Sequence, residues 1–190
     1  MGIELSPGQG VLFMKVGVHA QESLEEIIKR KKKEIDDTGM ALWGYGGNTC
    51  HPRTMVQPFA EAFALKGQPI HLVMQKMKSK HNAAPARAQQ FSVDGKSWQD
   101  IPEKINALGS HYALVLSSLY AQELILPPRR TVIALGPSQG KVGADYIRGQ
   151  VDKGCFELSR DVDIPPEPDE PVIQISLVAE LAKPYAVFLK

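Results

Sequence analysis

The sequence predicts an α+β domain, with one mixed β-sheet, two to four helices and a C-terminal β-hairpin. The chain has 190 residues, a length that suits a single domain. Its 43% apolar and 23% charged content is typical of a globular protein. Strand-like and helix-like segments alternate over residues 1–80, and strand-like segments dominate afterwards. This change of pattern favours a mixed sheet over a doubly wound parallel one.

The first strand and the first helix follow from the N-terminal pattern. A mostly apolar run from Val11 to Val18 predicts a strand. Ser23 and Glu26 then match the S-x-x-E capping box, in which each side chain accepts a hydrogen bond from the backbone amide of the other residue. Gly39 provides the expected end of this helix.

Further elements are predicted up to residue 108. Residues 40–45 and 69–77 have the apolar content of strands, and residues 58–65 predict a short helix. Asp94-Gly95 lies between two strand-like segments, which predicts a hairpin with a type I′ turn. Residues 101–108 predict another short helix, ended by a glycine.

The second half of the chain is rich in strand-like segments, at 112–116, 131–135, 172–181 and 185–189. The last two predict the closing hairpin. Residues 142–150 predict a helix that two glycines interrupt. The prolines of residues 165–171 predict an extended connector. We therefore expect a mixed α/β core over residues 1–164, this acidic connector, and C-terminal strands over residues 172–190 that pack on the core.

The charge balance limits the partners. Lysine and arginine number 22 against 21 acids, and this net charge of +1 argues against a nonspecific coat on nucleic acid. The basic run Lys29–Lys33 is interpreted as a phosphate-contact surface or, preferably, as a solvated helix face on which Arg30 pairs with Glu26. The acidic stretch at residues 161–170 would pair with this run in the same chain or in a second copy, which makes a homo-oligomer a hypothesis.

The cysteine count and the N-terminus indicate a compartment. No secretory signal and no apolar run of membrane-spanning length is visible, so we expect a cytoplasmic protein without membrane contact. Cys50 and Cys155 are the only cysteines and the five histidines are scattered, so the spacing predicts no metal site. Cys50 precedes His51, but neighbours in sequence rarely aim at each other, and a buried unreactive thiol is favoured over a nucleophile.

The segment Trp43–Arg53 combines glycines with aromatic, histidine and arginine side chains. Glycine lets a ligand approach the backbone, aromatic rings offer flat faces to a base or sugar, and a helix that starts at Pro52 favours an anion. A tight strand-to-helix connection whose aromatic rings fill the core is equally compatible with the pattern. Under the first interpretation the ligand-binding residues are Trp43, Tyr45, Gly46, Gly47, Asn48, His51 and Arg53.

The loop Gly136–Lys141 also follows a predicted strand, and its amides and lysine suit a phosphate. It is not a Walker loop, because three residues separate its glycines and Val142 occupies the magnesium-binding position. Its G-x-S-x-G spacing matches a hydrolase nucleophile elbow, but the histidine of that family follows the serine, and the last histidine here is His111. A plain turn is the other interpretation. The candidate residues are Ser138, Gly140 and Lys141.

These patterns favour a protein that binds a small phosphate-bearing or nucleotide-like molecule through loops 44–48 and 136–141. Both loops follow predicted strands, and open α/β sheets hold ligands at strand ends.

Two other function classes remain. His19 at the end of the first strand, the alanine-rich segment Phe59–Ala64 and the strand Ile70–Val73 occur in an order that resembles ADP-ribosyltransferases. The resemblance implies an ADP-ribosyl or glycosyl transferase that uses NAD, with His19 at the NAD ribose and Glu123 as the catalytic acid. The third class is a protein-interaction or inhibitory module, which acts through the basic helix or the acidic C-terminal arm.

Overall fold

The computed structural model describes residues 2–19, 22–45, 50–81, 86–147, 153–161 and 163–190, and the side chains of all of these except 18, 19 and 79–81. The strands are β1 Gly10–His19, β2 Ala41–Tyr45, β3 His71–His81, β4 Gln90–Ser92, β5 Gln99–Asp100, β6 Tyr112–Leu126, β7 Thr131–Ile133, β8 Lys153–Leu158 and β9 Ile173–Leu189. The α-helices are α1 Leu24–Thr38, α2 Gln57–Ala64 and α3 Gly143–Tyr146. A π-helical turn spans Pro52–Val56 and a 3-10 turn spans Pro128–Arg130.

The strands form one mixed sheet in the order β2-β6-β9-β3-β1-β8-β7, and β4 pairs with β5 and with β9 beside this path. The pair β1–β3 is parallel. The pairs β1–β8, β2–β6, β3–β9, β6–β9 and β7–β8 are antiparallel. The α+β class and the mixed sheet are therefore confirmed. No helix in the described part of the chain is long and apolar enough to cross a membrane.

The C-terminal segments predicted as a hairpin form the single strand β9. Its residues pair with β6 along both segments, from Tyr112–Phe188 to Leu126–Ile173. The ladder shifts register between Leu114 and Leu116, so the residues around Lys183–Pro184 bulge out of it. A bulge accommodates the extra residues without reversing the chain, which is why a turn-like sequence does not make a turn.

Helix α1 begins and ends where the sequence predicts. Ser23 and Glu26 form both hydrogen bonds of the capping box. Gly39 caps the other end with φ 83°, and its amide donates to the carbonyl of Ile35 at 2.8 Å. A side chain at Gly39 would be strained in this left-handed conformation, so glycine suits the position.

Both faces of the sheet are buried. Successive residues of a strand point to opposite faces, so each strand contributes side chains to both. Leu12 and Leu72 pack with Phe59 and Phe63 of α2 and with α1. The opposite face has two smaller clusters. The N-terminal segment and α3 cover one, and residues 88–107 cover the other.

Residues 101–108 form no helix. Instead, the amide of Ile101 donates to the carbonyl of Gln89, and the amide of Ala88 donates to the carbonyl of Ala107. These bonds across to a neighbouring segment satisfy backbone groups that a helix would have paired internally. The apolar side chains of this segment are buried against the sheet.

The hairpin around Asp94 forms, but with a different turn. Strands β4 and β5 pair, and Gly95 has φ 76°, whereas Asp94 is not among the residues with positive φ. The carboxylate of Asp94 accepts from the amides of Lys96 and Ser97 at 2.7 and 2.8 Å. A carboxylate that caps the loop therefore replaces the predicted type I′ geometry.

The basic run at residues 29–33 is not a uniformly solvated face. Lys31 is 3% exposed, and its ammonium donates to the carboxylate of Glu34 at 2.9 Å and to the carbonyl of Asn106. Burial lowers the pKa of Lys31 to about 8 despite the adjacent carboxylate. The lysine thus ties α1 to the segment that covers the opposite face of the sheet.

Other charges of these two regions also have defined partners. Arg30 pairs with Glu22 at 2.6 Å, while Glu26 binds the capping serine. In the acidic stretch, Glu170 pairs with Arg130 at 2.9 Å. The expected ion pair of Arg30 with Glu26 therefore does not form, because Arg30 pairs with Glu22 and Glu26 binds Ser23.

Candidate functional site

The first glycine loop leaves the sheet at Tyr45, which is 3% exposed. The Tyr45 hydroxyl donates to the carbonyl of Cys50 at 2.8 Å and so fixes both ends of the loop. The candidates Gly46, Gly47 and Asn48 lie outside the described residues. Burial holds the pKa of Tyr45 well above its usual range, so this hydroxyl stays protonated.

The loop meets β8 through two thiols. The Sγ atoms of Cys50 and Cys155 lie 3.7 Å apart, and both residues are buried. The hydrogen bond with Cys50, and then burial, raise the pKa of the Cys155 thiol. Both effects disfavour a thiolate, so Cys155 is a poor nucleophile in this environment.

Lys153 lies beside this contact. Its ammonium is 5.3 Å from the centre of the Tyr45 ring, within the range of a cation–π interaction. A narrow crevice beside these groups has no space for a water molecule. Its lining residues are Leu12, Phe13, Met14, Tyr45, Cys50, Leu114 and Lys153. The crevice is therefore a narrow seam between packed side chains.

Half-buried rings adjoin the seam. The ring of Tyr112 lies 5.9 Å from that of Tyr45 and 5.6 Å from that of His51, while His51 and Phe188 are 5.4 Å apart. His51 Nδ1 accepts from the amide of Arg53, whose side chain is exposed. Half-buried aromatic rings and an exposed guanidinium therefore occur together at the start of the π-helical turn.

The structure favours the core interpretation for two of the aromatic candidates. Trp43 and Tyr45 are 5% and 3% exposed and belong to the cluster beneath α1 and α2. Neither ring offers an open face for stacking. The half-buried rings of His51 and Tyr112 are better placed to do so, and Tyr112 was not a candidate from sequence.

The second glycine loop is a closed turn. The amides of Gln139, Gly140 and Lys141 donate within the region, to the carbonyls of Gly136, Ile133 and Ser138. These three amides are therefore not available to a phosphate. The lysine side chain is exposed, and the serine is half-buried.

The two glycine loops follow opposite ends of the strand order, because β2 and β7 are the two outer strands. Nevertheless, both connect to the same residue of β8. The thiol of Cys155 contacts Cys50, and its carbonyl accepts from the amide of Ala134, at 3.1 Å, just before the second loop. Strand β8 therefore bridges the loops, and Lys153 lies two residues away from the bridge.

The residues assigned by resemblance to a transferase are distributed differently. His19 ends β1 in register with His81 at the end of the parallel strand β3, and its side chain lies outside those described. Glu123 is exposed on β6, and strands β9 and β3 lie between β6 and β1. Three strand spacings correspond to about 14 Å of sheet. The strand order thus does not bring His19 and Glu123 together.

Sequence reasoning missed Lys153 and Cys155 because β8 was not predicted as a strand. Its six residues, KGCFEL, carry no clear periodicity. With only two cysteines, at most one disulfide is possible, but the sequence does not predict that Cys50 and Cys155 meet across 105 positions. Among the residues that the structure describes, no group of three or more His, Cys, Asp or Glu side chains could hold a metal ion.

Comparisons of the chain with protein-family models, with curated proteins and with solved structures find no match. The site is therefore interpreted from its own residues.

Proposed function

We propose that this protein binds a small phosphate-bearing or nucleotide-like molecule where the first glycine loop meets β8. The observation that carries the proposal is the position of Lys153, whose ammonium lies over the Tyr45 ring. The Tyr45 ring in turn adjoins the half-buried ring of Tyr112, which contacts His51. A cation next to flat aromatic surfaces suits a ligand with an anionic group and a planar base.

Each group has a role in this proposal. Lys153 and Arg53 offset the charge of a phosphate, and His51 and Tyr112 contact the base or sugar. From the second loop, only side chains are available, so Lys141 and Ser138 contribute there while the amide of Gly140 does not.

Thermal denaturation with a ligand panel tests the proposal. Pyrophosphate, AMP, ADP, ATP and NAD are each added to the full chain. Because a ligand that binds only the folded state stabilises it, we expect at least one nucleotide to raise Tm by about 5–10 °C at about 100 times its Kd. No shift with any member of the panel would refute the proposal.

Matched variants locate the site. Lys153→Gln should abolish the rise in Tm. Lys141→Gln makes the same change of charge on the second loop, so its effect on the rise in Tm measures the contribution of that loop. His51→Ala should weaken the binding of nucleotides more than the binding of pyrophosphate, because it removes an aromatic ring that contacts the base and leaves Lys153 and Arg53 in place. Urea unfolding of each variant without ligand verifies that the fold is intact.

The same panel addresses the transferase hypothesis. A shift with NAD that His19→Ala removes, together with release of nicotinamide, would favour the enzyme. A shift with ADP or ATP alone would favour simple binding. For the interaction-module hypothesis, the engagement of Lys31 within the chain leaves a smaller basic surface on α1.

A further inference from the structure

The chain contains two cysteines, and the fold places them in contact. Cys50 and Cys155 lie 105 positions apart in sequence, yet their sulfur atoms are 3.7 Å apart. Their relative exposures are 3% and 4%. A random pairing of the only two thiols over such a separation is improbable in an unfolded chain, so the contact is a property of the fold.

We propose that Cys50 and Cys155 form a reversible intrachain disulfide, which fastens the connection after β2 to β8. Closing the bond brings the sulfur atoms from 3.7 Å to about 2.05 Å, a movement of less than 2 Å in total. Both thiols are buried, and a disulfide, which carries no charge, suits such a setting better than a thiolate.

The chemistry requires an oxidant, which we assign to the class of small disulfides such as oxidised glutathione. The Cys50 thiolate attacks one sulfur of glutathione disulfide, which forms a mixed disulfide and releases one reduced glutathione. The Cys155 thiolate then attacks Cys50 Sγ and displaces the second glutathione. The two thiol protons pass to solvent or to the leaving thiolates, and the glutathione disulfide accepts the two electrons.

Attack by Cys155 first gives the same product, so the outcome does not depend on the order of the two thiols. The second step is intramolecular and profits from the short distance between the two sulfur atoms. The modification does not depend on the proposed ligand, since it involves only the two thiols and the oxidant.

Equilibrium with glutathione tests the proposal on the full wild-type chain. The protein is incubated in mixtures of reduced and oxidised glutathione, from both the reduced and the oxidised side, in native buffer and in denaturing urea. After an acid quench that stops thiol–disulfide exchange, intact mass distinguishes the dithiol, the mixed disulfide and the internal disulfide. We expect the effective thiol concentration in the folded chain to exceed that in urea by about 100-fold or more.

A second measurement uses linkage. If folding favours the disulfide, the disulfide must favour folding by the same factor, so the oxidised chain should unfold at higher urea than the reduced chain. Cys50→Ser and Cys155→Ser are matched controls, and each should yield only the mixed disulfide and show no such increase.

The opposite results are equally clear. An effective concentration in the folded chain equal to or below that in urea would show an inert packing contact and overturn the proposal. Disulfide-linked dimers as the main oxidised product, or an oxidised chain less resistant to urea, would overturn it as well. A change in nucleotide affinity on oxidation is a separate measurement and decides neither outcome.

Discussion

Arg130 and Glu170 form a two-point ion pair, with Nε 3.1 Å from Oε1 and Nη2 2.9 Å from Oε2. The same guanidinium donates to the carbonyls of Asp161 and Ile164, at 2.7 and 2.6 Å. One side chain therefore holds a proline-rich segment that has no helix or strand of its own. The connector is ordered by hydrogen bonds to a neighbouring turn.

Removing this guanidinium should destabilise the fold more than removing its partner. Arg130→Gln removes the guanidinium from three carbonyls and leaves the carboxylate with only the Glu167 amide as donor, whereas Glu170→Gln leaves the arginine its carbonyl bonds. We expect the urea midpoint to fall in both variants, and further in Arg130→Gln. The exposed neighbour Arg129→Gln is the control and should change little. Equal midpoints for Arg130→Gln and Arg129→Gln would contradict this prediction.

The buried pair Lys31–Glu34 predicts an asymmetric response to mutation. Glu34→Gln leaves the ammonium buried without its anion and should cost about 3–5 kcal/mol of unfolding free energy. Adding Lys31→Met removes the stranded charge, so the double variant should be more stable than Glu34→Gln alone. Chemical denaturation of the single and double variants measures this coupling.

Lys33→Met serves as the control for this pair, because the Lys33 side chain is 75% exposed in its pair with Asp37. We expect almost no change in the urea midpoint. If the double variant were less stable than Glu34→Gln, the lysine would contribute through packing rather than through charge.

His71 predicts a loss of stability in mild acid. It is 4% exposed, its Nδ1 has no hydrogen-bond partner, and burial lowers its pKa. The unfolded chain therefore binds a proton more readily than the folded chain, so the contribution is present above about pH 6.5 and is lost as the pH falls below that value. Urea midpoints between pH 7.5 and pH 5.5 measure the slope.

The variant His71→Gln should flatten this slope, since glutamine does not titrate. His111→Gln, the same substitution at an exposed histidine, is the matched control. A slope that survives in His71→Gln would assign the acid sensitivity to other groups.

Asp94 predicts an acid-resistant turn. Hydrogen bonds from the amides of Ser97 and Lys96, and from the Ser92 hydroxyl, hold its pKa at about 2. A lowered pKa means that its stabilising contribution is present above the ordinary value near 4 and is lost as the pH falls toward 2. Carbon-13 NMR titration of the carboxyl group should give a midpoint of about 2.

Amide exchange supplies the control for this turn. In Asp94→Ala, the amides of Lys96 and Ser97 lose their acceptor and should exchange with solvent faster, whereas Asp100→Ala should leave them unchanged. A carboxyl midpoint near 4 would mean that the amide bonds do not form in solution.

Local signals were predictable and long-range ones were not. The capping box of Ser23 and Glu26 and the glycine at position 39 predicted α1, because these interactions lie within one helix. The helix prediction for residues 101–108 was wrong, because the apolar residues of this segment also suit an irregular segment held by hydrogen bonds to residues 88–89 of the same chain. At the site, the aromatic candidates stand out in the sequence, but their burial depends on packing from other parts of the chain.

The charged residues show the same difference between local and long-range interactions. The run at 29–33 is visible in the sequence, but the burial of Lys31 depends on Glu34 and on the carbonyl of Asn106, 75 positions away. The contact of the two thiols likewise needs β2 and β8 in place. A sequence pattern predicts interactions between residues that are close along the chain. The burial of Lys31 and the contact of the two thiols depend on residues that are close only in the folded structure.

Strand β9 has a consequence for how the molecule is made. It lies between β6 and β3, so among the strands described it is the link that joins the pair β2–β6 to the group β3, β1, β8 and β7. The two parts of the sheet therefore cannot join until β9 has emerged from the ribosome. Until then both parts expose unpaired edges, which invite pairing with other chains. Assembly of this sheet consequently waits for β9, and the interval before it is when these strands most need protection from aggregation.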